Sequence, residues 1–283
     1  MENSMKLGPF ELFPLSDGTF SLDGGAMFGV VPKVIWEKSF PADNRNRILL
    51  ALGVLLVRTG RQNILIDTGI GNKGSVKFND IYNVRRSPLE SELAGLGLSP
   101  DRIDIVINTH LHFDHAGGNT KVNPDGSLAP AFSNAKYFIQ RKEWEVALTP
   151  NERTRGSYLL ENYRLLEKTG QLVFLEGDKE IVEGIRVVET PGHTEHHQSV
   201  VIGTGKEKAC FLGDLIPTAA HLSPPYIMGY DLYPMVTLET KKKILRQAYE
   251  EHWRLFFQHD PLVRSGILKE KEGKFILEPA LDP

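Results

Sequence analysis

Short apolar runs bounded by Gly, Asp or Pro recur along the whole chain. Runs of this length, rich in Val, Ile, Leu and Phe, predict buried strands. They fall at residues 48–58, 63–67, 103–108, 136–140, 171–175, 185–189, 199–202, 209–212 and 255–258. Stretches with a period near 3.6 predict helices at 88–96, 152–168 and 238–253. In the last of these, Ile244, Leu245, Ala248, Tyr249 and His252 share one stripe, and Thr237 is the candidate N-cap. Lys241, Lys242 and Lys243 begin the opposite, solvated face. Residues 266–279 predict a hairpin turning at Glu272-Gly273. Asp23-Gly24-Gly25 and Pro32 make a loop the expected conformation of residues 23–33. Strands mixed with helices imply two sheets, or one large sheet covered by helices. No Pro/Gly/Ser-rich linker divides the chain, so a single domain over residues 1–283 is expected.

The 283 residues are 41% hydrophobic and 24% charged, as in an ordinary globular protein. A chain of this size buries roughly three quarters of its unfolded surface, which supports a core without disulfides. The single cysteine, Cys210, excludes an intrachain disulfide and any multi-cysteine zinc cluster, and reads as a small buried hydrophobe. A net charge of -3 offers no electrostatic footprint for nucleic acid or an anionic membrane. The most apolar run, 48–57, is too short to span a bilayer, which needs about 20 residues. Residues 1–9 lack an apolar signal core, so the cytoplasm is the expected location.

The densest chemistry is Thr109-His110-Leu111-His112-Phe113-Asp114-His115-Ala116-Gly117-Gly118. Metal-capable side chains follow one another as His-x-His-x-Asp-His. A shuffled chain of this composition holds such a match with a frequency of about 4 in 10,000, so the pattern is specific. In an extended segment His110 and His112 point the same way. A turn at Phe113 then swings Asp114 and His115 toward a second point. One cation can take the first pair and a neighbouring cation the second. Imidazole and carboxylate without thiolate suit zinc, iron, manganese or cobalt. Two sites need further ligands, and three candidates follow predicted strands directly or one short turn later. They are His193 in Thr190-Pro191-Gly192-His193-Thr194, Asp214 in Gly213-Asp214, and His259 in Gln258-His259-Asp260. Strand ends are where rigid sites are built. A carboxylate such as Asp214 can bridge two metals with its two oxygens. His196 and His197 adjoin His193 and read as supporting or surface residues.

This constellation resembles the metallo-β-lactamase superfamily. The matching positions are Asp67 in Ile66-Asp67-Thr68-Gly69, then His110, His112, Asp114, His115, His193, Asp214 and His259, in order across most of the chain. The resemblance implies an α+β fold, a four-layer αββα sandwich with a dinuclear centre between its sheets. By that likeness His110, His112 and His193 bind one metal, Asp114, His115 and His259 the other, and Asp214 bridges them. Asp67 would take the outward N–H of a ligand histidine, as carboxylates beside metal sites usually do. The family's redox branch usually carries Glu where this chain has His112, which implies a hydrolase. Asp23-Gly24-Gly25-Ala26-Met27-Phe28-Gly29-Val30-Val31-Pro32-Lys33 resembles the signature of a lactonase-like branch. Met228-Gly229-Tyr230-Asp231 and Gln258-His259-Asp260 resemble it too. That branch includes quorum-quenching N-acyl homoserine lactonases and organophosphate hydrolases. Glu195-His196 replace the second Pro-Gly of the commoner Thr-Pro-Gly-His-Thr-Pro-Gly-His pattern, a departure that bears on the loop and not on His193.

Two divalent metals, zinc first among the candidates, would lower the pKa of bound water from 15.7 toward about 7. A bridging hydroxide would then attack a carbonyl or phosphoryl centre. Asp114 and Asp214 are the expected catalytic carboxylates, with Asp114 both ligand and proton shuttle. The leading expectation is a hydrolase of a small-molecule lactone or ester. Met27 and Phe28 would line its pocket, and His221 and Tyr230 are candidate donors to substrate. The first alternative is a phosphotriesterase or phosphodiesterase. A different class is a mononuclear iron persulfide dioxygenase using a subset such as His110, His193 and Asp214. A non-catalytic metal-binding partner protein fits less well, because an open ligand set exceeds what structure requires. RNA processing lacks a backbone-binding footprint. Family likeness also implies a homodimer through residues 27–36.

Overall fold

The computed structural model describes residues 4–279. Two large sheets dominate it. The first runs in the order Met5–Leu7, Phe10–Asp23, Arg47–Arg58, Asn63–Ile66, Ile105–Ile107, Lys136–Gln140, Leu172–Leu175, with Arg85–Arg86 pairing onto Phe10–Asp23. Its last four strands are parallel. The second runs Lys179–Val182, Ile185–Glu189, Gln198–Ile202, Ala209–Phe211, Arg254–Phe256, Ser265–Lys271, Lys274–Pro279. It is antiparallel except where Ala209–Phe211 meets Arg254–Phe256.

The period-two geometry of a strand explains the layering. Leu55, Val57, Ile64, Ile66, Ile105 and Ile107 face inward from the first sheet. They meet Ile185, Val187, Val200, Ile202, Phe211 and Phe256 of the second. The alternate residues Val54, Leu56, Leu65, Val106, Tyr137 and Ile139 face outward. There they pack on Leu89 and Leu93 of the helix Leu89–Gly95, Trp144 and Ala147 of Arg141–Leu148, and Leu166 of Arg164–Lys168. On the far side, Val188, Val201, Cys210, Leu255 and Leu268 pack against Ile244, Leu245 and Ala248 of the helix Pro234–Glu250. The result is helix, sheet, sheet, helix: the αββα arrangement that the resemblance implies. Strands buried on both faces read as continuous apolar runs, which is why they were legible.

Several expectations are corrected. Phe10–Asp23 is a 14-residue strand that no apolar run announces. Pro14 and Ser16-Asp17-Gly18 interrupt it, and its pairing with Arg47–Arg58 shifts register between Ser16 and Thr19. A bulge of this kind re-aims a side chain. Here the buried Asp17 carboxylate accepts from the backbone N–H groups of Ile70, Gly71 and Leu89. The helix expected over 152–168 is only Arg164–Lys168, preceded by turns and a 3-10 turn at Leu160–Asn162. Asn151 explains the change, because its side chain accepts from the Arg153 and Thr154 N–H groups and holds a turn instead. The helix expected at 238–253 starts earlier, at Pro234, after Tyr233 rather than Thr237. It ends before His252, which takes a φ of 54°. Residues 23–33 are not a plain loop. Asp23 caps a short helix, Gly24–Phe28, by accepting from the Ala26 N–H at 2.8 Å, and a second helix spans Lys33–Trp36. The helix Arg141–Leu148 was not anticipated. The hairpin Ser265–Lys271 and Lys274–Pro279 forms where it was expected. Among the described residues no helix is long and apolar enough to cross a membrane.

Lys241 also departs from its expected solvated face. It is buried, and its amine donates to the carbonyls of Ser223 and Tyr226, 2.8 Å each. A neutral amine keeps two N–H groups and can still make both bonds. Burial pushes this amine down to about 7, against the opposing charge of Asp231. Between that value and its ordinary value near 10.4, the unfolded chain binds a proton that the folded chain lacks. Stability therefore rises with pH through this window, by up to about 1.4 kcal/mol per pH unit. Urea unfolding between pH 7 and pH 10 should show a steeper rise in the native chain than in Lys241→Met, in which the buried Lys73 amine, pushed down to about 8, still contributes. Equal slopes in the two proteins would contradict it.

Candidate metal centre

The strands of both sheets end at one edge, and the candidate ligands sit just beyond those ends. Asp67 follows Asn63–Ile66, and His110 follows Ile105–Ile107. His193, Asp214 and His259 follow Ile185–Glu189, Ala209–Phe211 and Arg254–Phe256. His112 precedes a single helical turn, Phe113–Ala116, which carries Asp114 and His115. All eight of these polar residues are buried.

They form three donor groups: His110, His112 and His193; His110, His115 and Asp214; Asp114, His115 and His259. Within each group the donor atoms lie within 4.8 Å of one another. Asp214 spans the two outer groups. Its Oδ2 is 3.1 Å from His193 Nε2, and its Oδ1 is 3.2 Å from His259 Nε2 and 3.4 Å from His115 Nε2.

Outer partners determine which imidazole nitrogen faces inward. His259 Nδ1 donates to the Ala51 carbonyl at 2.8 Å. His115 Nδ1 donates to Asp67 Oδ2 at 3.0 Å, and His193 Nδ1 to Asp231 Oδ1 at 2.9 Å. The Thr109 hydroxyl donates to Asp67 Oδ2, so it is free to accept from His110 Nδ1 at 3.1 Å. Each arrangement leaves Nε2 of a neutral ring with an inward lone pair. His112 turns its Nδ1 inward instead, 3.0 Å from His193 Nε2. His259 Nε2 and His115 Nε2 face each other at 3.2 Å. Among the donor residues of the centre, two buried atoms are left without any hydrogen bond: His110 Nε2 and Asp214 Oδ1. A buried polar atom with no partner requires an explanation. A divalent cation supplies it, because both atoms are donors to metals and both point into the shared volume. The residues fit the metals that imidazole and carboxylate favour.

Burial first, and the neighbouring imidazoles second, push His110 and His112 well below the ordinary histidine value. Both rings are therefore neutral and able to coordinate. Burial opposes charge on His115 and His193 as well, but carboxylates outweigh it. Asp214 and Asp114 raise His115, and Asp214 and Asp231 raise His193. Burial likewise opposes charge on Asp214, yet His115, His193 and His259 hold its pKa well below the usual carboxylate range.

Three supporting residues gain their partners only in the fold, His197 among those already read as supporting or surface residues. Asp231 was noted only within a motif, and it orients His193. His197 is pushed down to about 3 by burial and by His193. Its Nδ1 pairs with Thr190 Oγ1, and its Nε2 accepts the Asp214 backbone N–H at 3.1 Å. The left-handed Gly213 (φ 55°) is required here, since a Cβ would stand 2.6 Å from His197 Nε2. Glu143 is a buried carboxylate that accepts from Leu111, Tyr158 and Thr194. Glu143 lies outside every pattern around the ligands, so only the fold could have brought it in.

A cleft of about 380 Å³ opens onto His112, Asp114, His193, Asp214 and His259. Met27 and Tyr230 line it as expected. Phe28 and His221 do not. Phe28 stacks between Trp36 and His221 in the core. Both His221 nitrogens are used internally, on the Met27 carbonyl at 2.9 Å and Thr218 Oγ1 at 2.8 Å. Burial pushes its pKa down to about 4. Arg153 and Tyr82, not anticipated, also line the cleft. Arg153 donates to the Gly229 carbonyl at 2.9 Å. In the loop after His193, Glu195 is exposed and accepts from the Tyr233 hydroxyl at 3.3 Å, away from the ligand.

Comparison with known proteins agrees with this geometry. The sequence pattern of the metallo-beta-lactamase superfamily matches residues 54–259. The chain is 30% identical over 220 residues to the N-acyl homoserine lactonase AiiA of Bacillus thuringiensis subsp. kurstaki, covering 72% of this chain and 79% of that protein. It resembles the crystal structure of a probable metal-dependent hydrolase from Staphylococcus aureus, with a TM-score of 0.89 and 34% identity over 98% of this chain and 100% of the other. It also resembles AidC, a dizinc quorum-quenching lactonase solved with the product N-hexanoyl-L-homoserine. There the TM-score is 0.81 and the identity 26%, over 99% of this chain and 98% of the other.

Loss of an outer partner frees its imidazole to rotate. Asp231→Ala should weaken metal binding by about 10–100-fold with little change in secondary structure. Competition against a chromophoric chelator measures this, and native affinity in the variant would contradict the role given to Asp231.

Proposed function

The chain belongs to the metallo-β-lactamase superfamily and is a metal-dependent hydrolase, and from that premise we propose that it opens a lactone or related ester of the N-acyl homoserine lactone type. The observation that carries the reading is the overlap of the donor groups on one cleft, with Asp214 reaching both. In this reading His110, His112 and His193 hold one divalent cation. Asp114, His115 and His259 hold the other, and Asp214 spans the two. Zinc is the first candidate, as named in the description of AidC. When bound, the pair supplies hydroxide near neutral pH and positive charge for the oxygen of the scissile carbonyl.

The chain's own residues do the rest. Asp114 lies on the cleft wall, where it can take the proton of the added hydroxyl and pass it to the leaving oxygen as the ring C–O bond breaks, leaving a carboxylate and an alcohol. Leu22, Met27, Phe113, Met228 and Leu232 present apolar surface to an acyl tail and exclude water. Tyr230 and Tyr82 bring hydroxyls to the same wall. Burial holds both phenols above their ordinary value, so they stay protonated as donors at neutral pH. The lactonase names of AiiA and AidC support the substrate class. Separate donor groups at the two ends of Asp214 favour two cations over the single iron of a mononuclear oxygenase.

Arg153 favours a second reading. Its guanidinium lines the cleft with no carboxylate partner among the described residues. Guanidinium groups recognise phosphate well, so a phosphate ester is the alternative substrate.

Metal analysis of purified protein, beside a pH-indicator assay on acyl homoserine lactones of short and long tail, tests the proposal. The expected result is two divalent metals per chain and acid release abolished by a chelator, with preference among tail lengths. Two metals with hydrolysis of phosphate esters alone would favour the second reading. Lactone opening by metal-free protein would refute the proposal.

A further inference from the structure

Glu143 stands apart from the other polar residues around the site. It is 1% exposed, in the helix Arg141–Leu148, and no Lys or Arg pairs with it among the described residues. A carboxylate buried without a cation is costly unless donors surround it. Three donors do. The Leu111 N–H reaches Oε1 at 3.1 Å, the Tyr158 hydroxyl reaches Oε1 at 2.8 Å, and the Thr194 hydroxyl reaches Oε2 at 2.8 Å. They come from three separate segments of the chain.

Each donor adjoins a member of the His110–His112–His193 group. Leu111 lies between His110 and His112. Thr194 follows His193. The Tyr158 ring stands edge-on to the His112 ring, with centroids 4.7 Å apart. None of the three adjoins Asp114, His115 or His259, although Tyr158 follows Ser157, whose carbonyl accepts from Phe113 N–H. The other group is oriented by different partners, Asp67 on His115 and the Ala51 carbonyl on His259. His112 has no carboxylate or carbonyl on its ring, unlike His115, His193 and His259. Its orientation rests on packing against Tyr158 and on the backbone at Leu111.

We infer that Glu143 is a positioning residue for the His110–His112–His193 site alone, clamping the segments that carry these ligands so that one metal site depends on it and the other does not. The inference rests on the metal reading of the centre and adds an asymmetry between its two sites. Acceptor geometry is the cause. Glu143→Gln keeps an oxygen for Leu111 and Tyr158, and its amide can donate to a reoriented Thr194 hydroxyl. Glu143→Met has similar bulk and accepts nothing.

Zinc titration of apo-protein against a chromophoric chelator resolves the two dissociation constants, and thermal unfolding of each apo-protein checks that it is folded. Glu143→Met should weaken one constant by about 10–100-fold and leave the other within about threefold. Glu143→Gln should stay within about threefold of native on both. The same Met substitution in a His259→Ala background, where only the first site remains, should reproduce the full loss. Should Glu143→Met prove too unstable, Tyr158→Phe removes one donor and should weaken the same single constant to a smaller degree. Equal weakening of both constants, no weakening of either, or Gln behaving as Met would overturn the inference. Native protein that takes up no zinc would instead remove the metal reading beneath it.

Discussion

Five imidazoles and two carboxylates crowd into one buried volume, and the cost of keeping so many polar groups out of water shapes everything around them. An imidazole in such a place must spend its outer N–H on an acceptor. Asp67, Thr109, Asp231 and the Ala51 carbonyl meet that demand for four of the five rings. Asp67 does so from a left-handed backbone conformation, φ 58°, which is strained for a residue with a side chain. Its carboxylate offsets the strain by accepting from the Thr109 N–H, the Thr109 hydroxyl and His115. Pinned on the outside, the rings have their inner nitrogens left over. The inward donor set is therefore a consequence of how the outward bonds are satisfied.

The same region is a seam between the sheets. The strand Arg47–Arg58 hydrogen-bonds directly to the far sheet, with Gly53 N–H donating to the Gln258 carbonyl at 3.0 Å and Ala51 N–H to the His259 carbonyl at 3.1 Å. Gly53 has no room for a side chain, since a Cβ would stand 2.6 Å from the Gln258 carbonyl oxygen. On the other flank, the Gln198 backbone and side chain donate to the Thr109 and Asn108 carbonyls at 2.9 and 2.8 Å. Away from this edge the inward faces of the sheets meet through apolar side chains. The centre thus stands where the sandwich is stitched by backbone bonds, which limits how far the ligands can move. A site built on such rigid elements holds its geometry better than one carried on loops alone.

The cleft is built differently. Its walls come from the short helix Gly24–Phe28, the turns around Arg153 and the stretch 228–232. These segments are tied to one another by a few bonds, such as Gly229 N–H to the Ala26 carbonyl and Arg153 to the Gly229 carbonyl. Lys241 anchors the start of the third wall from below. Metal ligands and substrate walls therefore rest on different physical foundations, a packed sandwich for one and local loop contacts for the other. Change at the walls can alter which substrate enters without disturbing the centre.

What the sequence determined by itself follows from patterns that are local. Buried strands are richly apolar, so nine of them announced themselves, and the resemblance carried by the donor motif implied the sandwich. His110, His112, Asp114 and His115 lie within one short segment, and His193, Asp214 and His259 each mark a strand end, so the donor set was legible too. Only the tertiary structure decided the rest, because the rest depends on contacts between residues far apart in sequence. The bulged strand Phe10–Asp23 exists through its pairing with Arg47–Arg58, against its own Pro and Gly. Lys241 looked like one of three solvated lysines until the fold placed two carbonyls against it. His221 and Tyr230 had equal claims to the substrate; folding gave His221 two internal partners and set Tyr230 on the cleft wall. Glu143 carries no motif at all, and the sequence around Asp231 and His197 does not show which partners they meet. A lone acid or histidine acquires its role from the donors that folding brings to it, and no spacing along the chain encodes that meeting.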